Sequence, residues 1–147
     1  MNDKQLARKA RNILVFYGQD FGLGGWDFGV NIVGTEETRK GANGDQNQLY
    51  SAATLSDPAN RHALVLVNRD VNWELEDLEI TMLHELVHVA QNKSGLAAVM
   101  MDMENILRDG MGNSGRVFLA AHVTRVNEDF IEDVAKTMKL LKERLMR

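Results

Sequence analysis

The sequence predicts an α+β fold: an N-terminal helix, a small mixed sheet of about three strands, a central helix, and further helices toward the C-terminus. Three observations predict it. Helical periodicity opens the chain, short alternating or apolar runs fill residues 26–67, and from residue 72 onward the periodicity is helical. At 147 residues the chain is read as a single domain, 1–147, with room for a core.

Asp3 to Tyr17 places Leu6, Ala10, Ile13, Leu14 and Tyr17 on one helical face, and Gly18 ends the segment. Gly22-Leu23-Gly24-Gly25 reads as a turn, because it lacks the full phosphate-cradling glycine pattern and a helix behind it. Trp26, Phe28, Val30 and Ile32 alternate with Asp27, Gly29 and Asn31, which predicts a strand. Thr35 to Gln46 is polar and Gly-rich and reads as a loop or long hairpin connection. Gln48 to Thr54 reads as a second strand, and Asp57-Pro58-Ala59-Asn60 as a turn. Ala63 to Val67 is wholly apolar, as a central strand would be. A helix then runs from Asn72 or Asp77, the candidate N-caps, to a break at Ser94-Gly95. Leu96 to Leu107 is amphipathic, with Leu96, Val99, Met100, Met103 and Leu107 on one face, and Asp109 to Gly115 is a loop. Val117 to Met146 is a long last helix. Phe118, Val126, Phe130, Val134, Leu141 and Leu145 are expected inward, and the basic tail from Lys136 is expected in solvent.

Composition narrows the function classes. The chain is 44% hydrophobic and 26% charged, with a net charge of -4 and a pI near 5.5. This acidic balance speaks against indiscriminate binding to nucleic acid or anionic membrane. No apolar run approaches the roughly 20 residues that span a bilayer, and the N-terminus lacks a signal-type apolar block. A cytoplasmic location is therefore the expectation. The absence of cysteine removes disulfides, zinc ribbons and thiol catalysis together.

Residues 84–88 read His84-Glu85-Leu86-Val87-His88, the H-E-x-x-H pattern. On a helix, positions i and i+4 lie one turn apart on one face, so two imidazoles there can grip one zinc ion. The glutamate beside the first histidine can then act as a base on a zinc-bound water. The surrounding helix is apolar nearly all round past Asp77. Only His84, Glu85, His88 and Gln91 form a polar seam, as on a core helix facing a cleft. Polar groups in such a seam are costly unless something satisfies them. The bland alternative is a pair of core histidines bonded to backbone, with Glu85 at the surface.

A catalytic zinc normally takes three protein ligands and keeps one position open. The chain has four histidines: His62, His84, His88 and His122. Glu104 is the first candidate for the third ligand. If the segment after Gly95 packs antiparallel on the motif helix, Glu104 returns about 12 Å and comes level with the histidine pair, about 9 Å before the break. His122, on the face of the last helix shared with Phe118 and Val126, is the runner-up. His62, Asp102, Asp109 and a site with no third protein ligand remain open.

Ala63 to Asp70 followed by Ile80 to His88 resembles the strand and active-site helix of the SprT-like metallopeptidases, a family of small zincins. Ser114-Gly115-Arg116-Val117-Phe118 and Val126-Asn127 resemble that family's His-Gly-x-x-Phe stretch and its later apolar-Asn pair. The resemblance implies a zincin-like fold, a Zn²⁺ cofactor and a protein or peptide substrate. The chain departs from the family in two ways: the Cys-rich zinc ribbon often found there has no counterpart in a chain without cysteine, and the histidine used there as third ligand falls at Ser114. A gluzincin-like site with Glu104 is the natural repair.

The expected function is zinc-dependent peptide-bond hydrolysis with Glu85 as the general base, helped at the oxyanion by Tyr17, Tyr50, Arg116 or His122. A catalytically degenerate zincin that binds or inhibits proteins is the competing class, and Ser114 speaks for it. A metal-free helical interaction protein requires the motif to be coincidence.

Overall fold

The computed structural model describes residues 1–44, 48–95 and 113–146, with side chains described from residue 125 in the last stretch. Its elements in chain order are α1 (Asp3–Gly18), β1 (Asp27–Val33), α2 (Thr35–Gly41), β2 (Ala52–Asp57), β3 (His62–Asn68), α3 (Leu75–Lys93) and α4 (Asn113–Leu145). The architecture is α+β, as the periodicities predict.

The three strands form one mixed sheet in the order β1-β3-β2. β3 is central, parallel to β1 in the register Phe28↔Ala63 and antiparallel to β2 in the register Thr54↔Val65. Its residues Ala63, Val65 and Val67 alternate into the core. Against them pack Leu6, Ala10, Leu14 and Tyr17 of α1 and Leu78, Met82, Leu83, Leu86 and Val89 of α3. Each large apolar side chain so buried contributes roughly 1.5–3 kcal/mol relative to exposure, which seats α3 firmly under the sheet. α1 starts cleanly because Asn2 and Gln5 form a reciprocal capping box.

Several sequence expectations are corrected. Thr35–Gly41 is a helix, α2, rather than a loop. Glu36 and Glu37 open it, Arg39 and Lys40 close it, and Glu36 pairs with Lys40 one turn on. Thr38 is fully buried and donates to the Gly34 carbonyl. The second strand runs Ala52–Asp57, later than expected, because the antiparallel register is set by the tight turn at Pro58–Asn60. The N-cap of α3 is Glu74, neither Asn72 nor Asp77.

The largest correction concerns α4. It packs antiparallel on α3, since Gln91 meets Asn127 while Glu76 meets Lys139. Ile131 and Ala135 are buried there, whereas Val126, Phe130, Leu141 and Leu145 are exposed. The helix is turned so that its polar groups meet the polar groups of α3. The basic tail is not wholly solvated either. Lys139 is buried between Glu76 and Glu79, and Lys142 pairs with Asp20 while lying over the Phe16 ring. Leu96 to Leu107 lies outside the described residues. Among the described residues, no helix is long and apolar enough to cross a membrane.

Candidate metal centre

α3 carries the motif in the middle of its 19 residues, so His84 and His88 project one turn apart from a helix held rigidly on both flanks. Their Nε2 atoms lie 3.1 Å apart. Glu128 of α4 closes the group: Oε2 is 3.0 Å from His84 Nε2 and Oε1 is 3.6 Å from His88 Nε2. One ligating atom from each of the three residues falls within 4.8 Å of the others. Donor atoms on a tetrahedral ion with bonds of 2.0–2.1 Å stand about 3.3 Å apart. Two imidazole nitrogens and a carboxylate oxygen at these separations could hold a zinc ion with little movement, leaving a fourth position open.

Glu132, one turn past Glu128, places Oε2 3.4 Å from His84 Nδ1. The His84 ring is thus contacted at both nitrogens, and a proton on Nδ1 leaves the Nε2 lone pair facing the group. Burial pushes the His84 pKa down, but the Glu128 contact, the charges of Glu85 and Glu128 and the Glu132 contact outweigh it, so the net shift is upward. The Glu128 carboxyl is lowered by its bond with His84, against a smaller rise from burial.

Glu85 is 5% exposed, so the expectation of a surface Glu85 that went with structural histidines does not hold. Burial raises its pKa, opposed by a hydrogen bond from Thr54 and by the two histidines. Thr54 Oγ1 donates to Glu85 Oε2 at 2.5 Å. Further along α3, Gln91 donates to Asn127 at 3.1 Å and Asn92 donates to Ser56, tying the helix to α4 and to β2.

The group lies on a cleft of about 790 Å³. Its walls are β2 with the preceding Gln48–Ser51 segment, the end of α2, and the seam of α3 opposite Glu128 and Glu132. The lining holds three carboxylates and, among the described residues, no lysine or arginine. Neutral polar and small side chains such as Asn43, Ser51, Ala52, Thr54 and Asn92 make up most of the rest.

His84 and His88 stand side by side on α3, and Glu85, bonded to Thr54, lines the same cleft. Glu104, the first choice for third ligand, lies outside the described residues, as do Asp102 and Asp109. His122 sits in α4, its side chain outside the described set, as are those of Ser114 and Arg116. His62 stands on β3 beside Asp27, 3.4 Å away, and is not part of the group. Tyr17 donates to Glu79 in the contact between α1 and α3, which removes it as an oxyanion donor, whereas Tyr50 lines the cleft.

Glu128 does not stand out in the sequence, because it lies between the apolar residues Val126 and Phe130 on an amphipathic helix. One signal could have found it: Glu128 and Glu132 repeat the i, i+4 spacing of His84 and His88, as two facing helices require. No family model matches the chain, and no curated protein or solved structure matches it either.

Proposed function

We propose that the chain is a zinc-dependent metallopeptidase, a small zincin with His84, His88 and Glu128 as its ligands, and that its likeness to the SprT-like family extends to the chemistry. The observation that carries this reading is the Glu128 carboxylate, brought from another helix onto the His84–His88 pair. A histidine pair satisfied by backbone has no need of it. Glu128 also supplies the gluzincin-type third ligand that Ser114 does not.

When bound, Zn²⁺ would supply a Lewis acid for a peptide carbonyl and lower the pKa of a water toward roughly 7. The chain's own residues do the remainder. Glu85, its basicity raised by burial, accepts a proton from the attacking water as the water oxygen bonds to the carbonyl carbon. It then returns the proton to the amine nitrogen as the C–N bond breaks. Glu132 holds the His84 ring from behind.

The substrate is an extended peptide. Asn68 N–H donates to the Ser51 carbonyl, and the register pairs Ala53 with Leu66 and Leu55 with Leu64. The backbone groups of the alternate residues Ala52, Thr54 and Ser56 therefore turn toward the outer edge of the sheet. A peptide added there as a further strand runs along the cleft wall. The acidic lining disfavours acidic side chains next to the scissile bond.

The test is a zinc-loaded chain incubated with a peptide library and read by mass spectrometry. Cleavage is expected from the parent chain. Glu85→Gln is expected to keep about one zinc per chain and to cut at least 100-fold more slowly. Undiminished cleavage by that variant overturns the mechanism. A parent chain that binds zinc and cleaves nothing points to the degenerate, protein-binding class instead.

A further inference from the structure

We propose that Thr54 is the positioning residue for the Glu85 base, and that it links docking of a peptide strand to the orientation of that base. The proposal rests on the peptidase reading of the same cleft and adds to it a residue outside the H-E-x-x-H motif.

Three observations lead here. Thr54 Oγ1 donates to one specific oxygen of Glu85, Oε2, at 2.5 Å. Glu85 is almost fully buried, and Thr54 is the side chain that bonds its carboxylate among the described residues. Thr54 lies on β2, which is the edge strand among the described residues, and lines the cleft, while its backbone N–H and C=O turn away from β3 toward that edge. The terminal torsion of a glutamate is broad and roughly two-fold, so its two oxygens exchange easily when nothing distinguishes them. A single short bond to Oε2 removes that freedom. It leaves Oε1 as the oxygen that takes the proton from the attacking water, and the one that gives it back.

The arrangement also places both events on one residue. A strand added at the edge of β2 is hydrogen-bonded by the Thr54 backbone, while the Thr54 side chain grips the base. The two contributions separate cleanly under mutation. Replacing the hydroxyl leaves the backbone donor and acceptor intact, so substrate docking persists while the base loses its orientation. A threonine that merely satisfied a buried carboxylate would lower stability without this kinetic signature.

The experiment compares the zinc-loaded full chain with Thr54→Val, which keeps the shape and drops the hydroxyl, and Thr54→Ser, which keeps the hydroxyl. Thr54→Val is expected to retain its zinc and hold KM within about twofold while kcat falls about 10- to 100-fold. Thr54→Ser is expected to recover kcat to within about threefold of the parent. A second readout needs no activity: a double-mutant cycle of Thr54→Val with Glu85→Ala, which removes the acceptor altogether, followed by urea unfolding of the metal-free chain. A coupling of about fivefold or more in the unfolding constant is expected. Unchanged kcat in Thr54→Val, a rise in KM alone, or no recovery with serine overturns the proposal. A coupling below about twofold overturns the contact itself. If Glu85→Gln cleaves as fast as the parent, or the parent does not cleave at all, the peptidase reading fails. The positioning role then falls with it, and coupling in the metal-free cycle marks the bond as structural.

Discussion

Glu132 of α4 places its carboxylate 3.4 Å from Nδ1 of His84, on the far side of the ring from Glu128. The two glutamates stand one turn apart on α4, as His84 and His88 do on α3. The match follows from the antiparallel packing of two helices with the same 3.6-residue period. One glutamate meets the donor nitrogens and the other braces the ring.

Removing the brace should loosen the centre without abolishing it. Glu132→Gln is expected to weaken zinc binding about 10- to 100-fold, the usual cost of losing a carboxylate partner behind a ligating histidine. Competition against a chromogenic chelator measures it, and an affinity equal to the parent's would deny Glu132 this role.

Removing a proposed ligand should do more. Glu128→Ala and His84→Ala are each expected to bring bound zinc from about one per chain to near zero after gel filtration. Elemental analysis of the two variants beside the parent provides the measurement. A Glu128→Ala chain that retains full zinc would return the third-ligand role to Glu104 or His122.

Zinc should stabilise the fold as well as occupy it. At a free zinc concentration 100 times Kd, binding contributes about 2.7 kcal/mol. For a chain of this size that corresponds to a rise of about 5–11 °C in Tm. Thermal unfolding with and without a chelator measures the difference. It should vanish in His84→Ala, and a persistent shift there would place the metal elsewhere.

The metal-free chain should lose stability as pH rises. The folded pKa of His84 is raised, so its contribution is full below its unfolded value of about 6.5 and lost as pH climbs through the higher folded value. Glu85, also raised, acts in the same direction above about pH 4.5. Glu128, lowered, opposes them only in acid, where its contribution is lost as pH falls through its folded value. Between pH 6 and 8 the chelated protein should therefore show a falling Tm. A Tm that rises across this window would contradict the arrangement of charges around His84.

The α1–α3–α4 contact should prove sensitive to one lysine. Lys139 is buried and meets Glu76 at 3.2 Å and Glu79 at 3.3 Å, while Tyr17 donates to Glu79 at 2.7 Å. Lys139→Ala is expected to cost about 1–3 kcal/mol, because it removes both packing and the charged partner of the partly buried Glu79, leaving only the Tyr17 bond. Tyr17→Phe is expected to cost about 1 kcal/mol. Urea unfolding of both variants measures these losses. Because α4 carries Glu128, Lys139→Ala should also weaken zinc binding.

What the sequence by itself determined is local. The α1 face of Leu6, Ala10, Leu14 and Tyr17, the apolar run of β3, and the placing of His84, Glu85 and His88 in a seam of one helix all follow from periods of 3.6 and 2 acting over neighbouring residues. Only the tertiary structure decided the rest. The apolar stripe from Val126 to Leu145 pointed α4 the wrong way round: the face laid on α3 carries Ile131 and Ala135, with Lys139 beside Glu76 and Glu79 and with Glu128 and Glu132 on the histidines. Glu128 and Thr54 reach the centre from 40 residues after and 31 residues before their partners His88 and Glu85. A carboxylate or a hydroxyl carries no local pattern that names a partner so far away. That partner is chosen when the helices and the sheet pack, and the candidate centre is complete only once they have.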